Sequence, residues 1–332
     1  MKLRITIVVM ILFVACTKEI PENGKRFTNL TGDYLGQTEP GTTATVFGLG
    51  VVSTGMNERD AAFSPDANEF YYSVWQNGRG VILYMKKING RWTQPKTASF
   101  SGKYSDIEPF ITSDGKKLYF ASNRPLEGAE LKDYDIWYVE KNERGDWGEP
   151  AVLGPEINTK ANEFYPSLTD YGDLYFTAAN EKSFGREDIF VSKFVDGQYQ
   201  QYENLGDSVN SPKDEFNSFI AKDGSYLLYT TTGFGDGLGG GDIWVCFKKD
   251  DGNWTRPKNL GEKVNSNKLD YCPSITKDGK FLFFTSNRVN NRKYDEAISY
   301  EQLVKEYNNP YNGAGDIYWV SSEVIDMAKG KR

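Results

Sequence analysis

An acidic residue recurs in the sequence at a fixed place, three residues before a proline or the residue that takes the place of the proline. The five carboxylates, 48 to 57 residues apart, belong to Glu58, Asp106, Glu163, Glu215 and Asp270. If these stretches surround a common axis, neighbouring carboxylates about 8 Å apart repel by roughly 2 kcal/mol at an effective dielectric near 20. Such a ring favours a bound cation, with Ca²⁺ as the candidate, or a cationic ligand group. In the alternative interpretation, each carboxylate only caps the loop amides of its own repeat.

Two arginines are placed to relieve part of this charge. Arg124 and Arg288 stand at equivalent positions of the second and fifth copies, and the other copies have no arginine there. The carboxylates of the other three copies therefore have no such arginine, which leaves room for a metal ion or a cationic ligand. The five carboxylates and these two arginines together are therefore the candidate ligand site, and no cofactor other than this Ca²⁺ is expected.

The residue types limit the chemistry that such a site could perform. The sequence has no histidine, which excludes histidine general bases and Ser-His relays. The stretch GDGLGG from Gly235 fits a dinucleotide fingerprint, but a strand pattern follows it where a nucleotide site requires a helix. Catalysis would rest on two carboxylates, as in a glycosidase, or on a tyrosine base with Arg124 or Arg288, as in a polysaccharide lyase. Nothing in the spacing selects such a pair.

The acidic residue opens a repeated pattern. DIEPFITSDGKKLYFASNR, residues 106–124, closely matches DYCPSITKDGKFLFFTSNR, residues 270–288, and three further copies align with them. Each copy continues with a line such as DIWYVEK, from Asp135, and most add a third line that leads into LG..(I/V)N. The apolar runs are short, rich in aromatic and β-branched residues, and broken by Asp-Gly or Asn-Gly. They predict four strands per copy, A to D, joined by hairpins.

A period near 50 residues predicts an all-β propeller of five four-stranded blades. The last copy lacks strand D, and the stretch that begins at Pro40 supplies a strand that closes the ring. Six blades is the alternative, but a sixth blade would need about 45 more residues. Strand A should be innermost. The starts of the A strands, the B–C loops and the D–A links share one face, here called the looped face, and the tight turns form the opposite turn face.

Three further features are expected to serve the fold. The aspartate of the second line should be structural, because it recurs in four blades: Asp135, Asp188, Asp242 and Asp316. The aromatic residues two positions later should pack between blades and belong to the core: Trp137, Phe190, Trp244 and Tyr318. Apolar residues at helical spacing predict a short helix lying over the looped face: Tyr300, Leu303, Val304 and Tyr307.

The pattern P-(S/F)-(I/L)-T-x-D-G-x-x-L-(Y/F)-F-(T/A)-S-N-R, with D-I-(W/Y) after it, resembles the WD40-like β-propeller repeat of TolB-type proteins. The resemblance covers nearly all of the chain after its first residues. It implies a propeller and a place in the bacterial cell envelope, often as a lipoprotein or part of an outer-membrane assembly. It does not imply one reaction, because the fold hosts many functions.

The start of the chain has the features of a secretory signal. Lys2 and Arg4 precede an apolar run from Ile5 to Ala15, which is too short for a membrane-spanning helix. The tetrad FVAC resembles the lipobox of bacterial lipoproteins, in which the cysteine, here Cys16, is diacylated. An ordinary signal peptide followed by a chance cysteine is the alternative. In the lipoproteins that it resembles, an aspartate after the cysteine retains the protein at the inner membrane, whereas Thr17 follows here. The resemblance therefore implies an outer-membrane lipoprotein, facing the periplasm or the cell surface.

These signals divide the chain into a signal peptide (1–15), an anchor and linker (16–39) and a single propeller domain (40–332). A hydrophobic content of 39% is enough for a sizeable core, and the formal net charge of −7 argues against nucleic acid as a partner. Cys246 and Cys272 are expected to be buried thiols, with one disulfide as the alternative.

The sequence therefore predicts a lipid-anchored, non-catalytic module that binds an envelope protein or a glycan. A histidine-free polysaccharide lyase or glycosidase is the second hypothesis, and a structural subunit of an outer-membrane assembly is the third.

Overall fold

The computed structural model describes residues 30–126, 133–290 and 297–330. Their strands form five antiparallel blade sheets, each with four strands along its main path, and one small two-stranded sheet. Within every blade the first strand contacts the first strands of neighbouring blades around a central channel. The predicted five-bladed propeller is confirmed.

The strands follow the order of the repeats. Strand β1 (Thr45–Val46) precedes the blades. Blade 1 contains β2 (Glu58–Phe63), β3 (Glu69–Gln76), β4 (Arg79–Ile88), β5 (Arg91–Trp92) and β6 (Lys96–Thr97). Blade 2 contains β7 (Asp106–Ile111), β8 (Lys117–Ser122), β9 (Asp135–Glu140) and β10 (Ala151–Val152).

The remaining blades repeat this order. Blade 3 contains β11 (Glu163–Leu168), β12 (Leu174–Ala178), β13 (Asp188–Ser192), a small hairpin of β14 (Phe194–Val195) and β15 (Gln198–Tyr199), and β16 (Glu203–Asn204). Blade 4 contains β17 (Glu215–Ile220), β18 (Tyr226–Thr231), β19 (Asp242–Phe247) and β20 (Lys258–Asn259). Blade 5 contains β21 (Asp270–Ile275), β22 (Phe281–Ser286) and β23 (Asp316–Ser321).

The ring is closed by the N-terminal strand. Strand β1 pairs antiparallel with β23, with Thr45 opposite Trp319, and so becomes the outer strand of blade 5. The preceding segment also docks on the fold: a 3₁₀ turn (Asp33–Gly36) places Tyr34 against Phe281 and Trp319, with its hydroxyl donating to Asp278 at 3.3 Å. Part of the stretch assigned to a linker therefore packs on the turn face, between blades 5 and 1.

The A–B turns explain the Asp-Gly signal. In blade 2 the Thr112 hydroxyl donates to Asp114 at 2.6 Å, and that carboxylate accepts the Lys116 amide at 3.0 Å. Gly115 has φ 71°, a left-handed conformation that favours glycine. The turn chemistry thus fixes where strand A ends and strand B begins.

The asparagine of the LG..(I/V)N pattern lies in the link after strand D and forms hydrogen bonds to strand C. In blade 4 the Asn265 side chain accepts the Ile243 amide at 2.9 Å and donates to the Ile243 carbonyl at 3.0 Å. Asn158 and Asn210 make the same pair of bonds in blades 2 and 3. The recurring asparagine is therefore a structural clamp.

The aromatic residues of strand C lie in the core, as predicted. Their exposed fractions are 7% or less for Trp137, Phe190, Trp244 and Tyr318. Cys246 is buried in the same layer and Cys272 lies in the inner strand of blade 5, both as free thiols.

Two helices complete the described part of the chain. Helix α1 (Tyr300–Tyr307) begins at Ser299, whose hydroxyl accepts the Gln302 amide, and α2 (Glu323–Lys329) follows the last strand. The predicted helix is confirmed, but its apolar residues do not pack on the looped face: Tyr300 is 75% exposed and Leu303 is 54% exposed. None of the helices seen in the described ranges has the length and apolarity to cross a membrane.

Candidate ligand-binding site

The channel opens on the looped face as a pocket of about 440 Å³ to which all five blades contribute. The second residue of each inner strand lines it: Arg59, Ile107, Phe164, Phe216 and Tyr271. Trp75 and Tyr134 add two more aromatic side chains from the ends of neighbouring strands and loops. Side chains alternate along a strand, so that the second residue faces the channel and the first does not.

A bulge at the same place in every inner strand forms the floor of the pocket. The pairing register with strand B shifts after the second residue of each inner strand. The third residue has φ between 51° and 64° in all five blades: Asp60, Glu108, Tyr165, Asn217 and Cys272. Positive φ is uncommon for these residue types and is held here by the surrounding bonds.

Arg59 is the centre of a polar network across this floor. Its Nε donates to both oxygens of Asp60 at 2.8 and 2.9 Å, and its Nη2 donates to Glu108 Oε1 at 2.7 Å. Nη2 also lies 3.4 Å from Cys272 Sγ, and the guanidinium lies over the Tyr271 ring at 5.3 Å. One cation therefore connects the inner strands of blades 1, 2 and 5.

Glu108 connects the other two blades to the network. Its Oε2 accepts the Tyr165 amide at 2.7 Å, and its Oε1 also accepts Asn217 Nδ2 at 3.3 Å. Below it lies a smaller cavity of about 50 Å³ that Glu108 and Tyr165 line from the other side. The floor thus closes the pocket toward the turn face.

The pocket also holds polar groups without a partner in the protein. Thr177 Oγ1 is buried, and Asn287 Oδ1 is likewise shielded; neither has a hydrogen-bond partner within the described ranges. Glu187 lines the same pocket, and no described donor bonds its carboxylate. Thr177 Oγ1 and Asn287 Oδ1 have almost no accessible surface, so of these groups the partly exposed Glu187 carboxylate is the one that a ligand can reach.

Burial shifts the pKa values of the two glutamates in the pocket. It raises the pKa of Glu108 to about 8, against the opposing effect of the Arg59 charge. It also raises the pKa of Glu187, with a further contribution from the Asp214 carboxylate. Both carboxylates therefore hold protons more strongly than an exposed glutamate does.

The five carboxylates predicted as an acidic ring are all fully buried and do not line this pocket. Each bonds the loop that precedes its own blade. Glu215 accepts the Ser211 amide at 2.6 Å and the Thr231 hydroxyl at 2.6 Å, and Glu163 accepts the Thr159 hydroxyl at 2.6 Å. These are the contacts of the capping interpretation; ligand binding by Glu58, Asp106, Glu163, Glu215 and Asp270 stays a prediction.

The two predicted arginines pair with the carboxylates of their own blades. Arg124 Nη2 lies 2.7 Å from Asp106 Oδ1, and Arg288 Nη2 lies 3.2 Å from Asp270 Oδ1. Each guanidinium also stacks over an aromatic residue of strand C, with 5.2 Å from Arg124 to Trp137 and 4.6 Å from Arg288 to Tyr318. The arginines therefore lie in the wall, between strand and loop, and not in the pocket.

In the blades without this arginine, no cation of the described residues pairs with the carboxylate to offset its burial. Burial raises the pKa of Glu58 and of Glu163 to about 7, and it raises the pKa of Glu215 as well. Protonation of these carboxylates thus removes part of the negative charge for which the sequence pattern predicted a bound cation. Among the residues with a described position, no group of three or more Cys, Asp or Glu side chains is placed to hold a metal ion.

The aspartates at the start of strand C bond to the loop before them. Asp188 accepts the Phe184 amide at 2.6 Å and Asn204 Nδ2 at 2.6 Å, and Asp316 accepts the Tyr311 amide at 2.7 Å. Asp242 bonds to the Leu238 amide in the same way. These bonds are the repeated local contacts expected of a structural residue.

Arg59, Glu108 and Glu187 were not among the residues selected from the sequence. One signal was available: at the second position of the inner strand, Arg59 replaces the apolar residue of the other four copies. At the third position the five copies carry five different residue types. In a repeat protein, the positions that differ between repeats are those free to serve one site.

No protein-family model matches the chain, and no curated protein matches its sequence. Solved structures share the fold. A glycoside hydrolase matches with a TM-score of 0.53 and 10% identity over 84% of this chain and 90% of its own. An endo-arabinanase of glycoside hydrolase family 43 from Bacillus licheniformis has a TM-score of 0.50 and 12% identity, over 79% and 93%.

TolB from Acinetobacter baumannii has a TM-score of 0.48 and 14% identity over 80% of this chain. The match covers 57% of TolB, so this chain spans little more than half the length of that protein. At these identities the likeness shows the β-propeller fold alone.

Proposed function

We propose that the protein is a binding module of the cell envelope that takes a saccharide group into the pocket at the channel mouth. The pocket volume of about 440 Å³ lies in the range of small-molecule sites, which are concave and lined by aromatic side chains with a few polar groups. Of the two partner classes expected from the sequence, a protein or a glycan, such a cavity favours the glycan.

One observation carries the proposal: aromatic faces and unpartnered polar atoms line the same cavity. Trp75, Tyr134 and Phe164 offer flat apolar surfaces, against which the C–H faces of a sugar ring can pack. The partly exposed Glu187 carboxylate, which no described donor bonds, can accept hydrogen bonds from sugar hydroxyls. A bound saccharide would therefore satisfy both the apolar and the polar groups of the pocket.

A glycan array tests this function. The protein and its Phe216→Ala variant, which loses one aromatic wall, are applied at equal concentration to the array. We expect the wild type to bind at least one class of saccharide and the variant to bind it less. An array on which the wild type binds nothing would refute the proposal.

A glycosidase is the second candidate, and the carboxylates of the pocket favour it. Glu108 and Glu187 line one cavity, and glycoside hydrolysis uses a pair of carboxylates. Two of the solved structures with this fold are named as glycoside hydrolases. Release of reducing ends from a polysaccharide that the array identifies, with loss of that release in Glu187→Gln, would support this candidate over a binding module.

The place of the protein is part of the same proposal. Cys16, outside the described residues, is proposed as the site of a lipid anchor. Thr31 pairs with Arg91, and the Tyr34 hydroxyl reaches Asp278, so that the described chain begins on the turn face.

A further inference from the structure

We infer that the saccharide bound at the channel mouth carries a free, protonated amino group, as in a de-N-acetylated amino sugar. This inference rests on the saccharide-binding function proposed above and names the ligand class. Three features of the pocket support it. Arg59 is already paired with carboxylates, no described donor bonds the Glu187 carboxylate, and aromatic rings line the same cavity.

Arg59, the cation that lines the pocket, is already paired with carboxylates of the protein. Among the described residues that line the cavity, the charged ones are Arg59, Glu108 and Glu187. Arg59 is bonded to both oxygens of Asp60 and to Glu108, so two carboxylates share its single positive charge. A uronate or phosphate in the pocket would find no unpaired cation among the described residues and would lie near the Glu187 carboxylate.

No donor among the described residues bonds the Glu187 carboxylate. It belongs to the B–C loop of blade 3, directly before β13, and it is partly exposed at the cavity wall. The adjacent Arg186 forms its ion pair with Asp214 instead. The groups whose charges act on Glu187 are Asp214, Arg186 and Arg59. A ligand ammonium group would give this carboxylate the direct hydrogen-bonded cation that no described side chain provides.

Aromatic rings next to a carboxylate stabilise a cation further. Tyr134 and Phe164 form one aromatic pair in the wall, with ring centroids 5.1 Å apart, and Trp75 and Phe216 line the same cavity. The site already accommodates one cation on a ring, because Arg59 lies over Tyr271 at 5.3 Å. An ammonium group in contact with these faces is favoured by the negative potential of the rings.

Calorimetry with three matched trisaccharides tests the inference. The probes are the trimers of glucosamine, of N-acetylglucosamine and of galacturonic acid, which differ in charge at similar size. We expect the glucosamine trimer to bind about tenfold more tightly than its acetylated form, a difference of about 1.4 kcal/mol, and the galacturonate trimer to bind most weakly. Raising the salt concentration should reduce the preference.

Two variants locate the source of the preference. Glu187→Gln should lose most of the preference for glucosamine while it keeps its affinity for the acetylated trimer. Glu181→Gln, which removes an exposed glutamate of the same loop, should behave as wild type. Thermal melting of both variants confirms that they are folded.

The outcomes separate the inference from the function on which it rests. Equal binding of charged and acetylated trimers, or a preference for galacturonate, would overturn the inference and leave saccharide binding intact. An unchanged preference in Glu187→Gln would also overturn it. If the wild type binds none of these probes and nothing on the glycan array, the proposed function fails, and the inference with it.

Discussion

Arg59 in blade 1 donates from Nη2 to Oε1 of Glu108 in blade 2, at 2.7 Å, across the floor of the channel. The arginine side chain is 16% exposed and that of Glu108 is 3% exposed, so water screens the pair weakly. The same two side chains form part of the pocket floor and join the inner strands of two neighbouring blades. Binding and stability are therefore coupled at this contact.

Loss of Arg59 should destabilise the propeller. Arg59→Met leaves Asp60 and Glu108 buried without their cation, and breaking a buried ion pair on one side costs about 3 to 5 kcal/mol. We expect a clear drop in the denaturant midpoint. Arg79→Met, at an exposed arginine of the same blade, is the control and should change stability little.

The triple variant Arg59→Met, Asp60→Asn, Glu108→Gln separates charge from shape. If uncompensated charge is the cause, removal of both carboxylates recovers a large part of the lost stability. A triple variant that is less stable than Arg59→Met alone would show that the hydrogen bonds of the two carboxylates matter more than their charges.

Stability should fall as the pH rises from 5 to 8. Burial raises the pKa of Glu58, Glu163 and Asp316 to about 7, from ordinary values of 4.5 for Glu and 3.8 for Asp. Because the folded pKa is the higher one, the stabilising contribution of each group is complete below about pH 4 and is lost as the pH rises through 7. Calorimetric melting should give a Tm several degrees lower at pH 8 than at pH 5.

Glu58→Gln tests the origin of this pH dependence. One carboxylate oxygen of Glu58 accepts the Thr54 hydroxyl, and the other has no partner in the described chain. An uncharged side chain of the same shape should flatten the slope between pH 5 and 8, whereas Glu149→Gln, at an exposed glutamate, should keep it. A wild-type Tm that climbs steadily from pH 5 to 8 would contradict the assignment.

The aspartate at the start of strand C should contribute to stability in every blade that has it. Asp242 Oδ2 accepts both the Leu238 amide and Asn259 Nδ2. Asp242→Ala leaves these donors unpaired, at a cost of about 1 to 3 kcal/mol. The control is Asp250→Ala, at an exposed position of the same blade. Unchanged melting of Asp242→Ala with loss of ligand binding would assign the residue to the site instead.

Much of this fold could be predicted because its signals are local and repeated. The Asp-Gly turns, the strand patterns and the missing last strand each follow from residue types at fixed spacing. The pairing of Thr45 with Trp319 is an example: the last copy lacked its outer strand, and the N-terminal stretch had one to supply.

The pocket could not be predicted in the same way. The bulge places residues as different as Glu108, Tyr165 and Cys272 in left-handed conformations, which no residue preference of theirs indicates. The sequence does not reveal the bulge, so the direction of each side chain in the inner strand is ambiguous. A carboxylate that recurs in all five repeats is then selected in preference to Arg59, which occurs at its position once. Tyr34 was missed because it lies outside the repeats and packs through tertiary contacts.

Lipidation of Cys16 predicts membrane attachment that depends on one residue. In cell fractions the wild-type protein should pellet with membranes after a high-salt wash, and Cys16→Ala should not. The control is a substitution at the neighbouring Thr17, which leaves the cysteine in place. A Cys16→Ala protein that still pellets with membranes would exclude the lipid anchor.

The central claim is that the channel mouth binds a saccharide. Calorimetric titration tests it most directly, with the Trp75→Ala variant and the best ligand from the glycan array. Trp75 lines the pocket, whereas Tyr171, which is 75% exposed at the A–B turn of blade 3, lies on the opposite face. We expect Trp75→Ala to weaken binding about tenfold or more, since loss of an aromatic contact costs on the order of 1 kcal/mol beyond the buried area, and Tyr171→Ala to bind as wild type. Equal affinities of wild type and Trp75→Ala, or a loss of binding in Tyr171→Ala alone, would contradict the account.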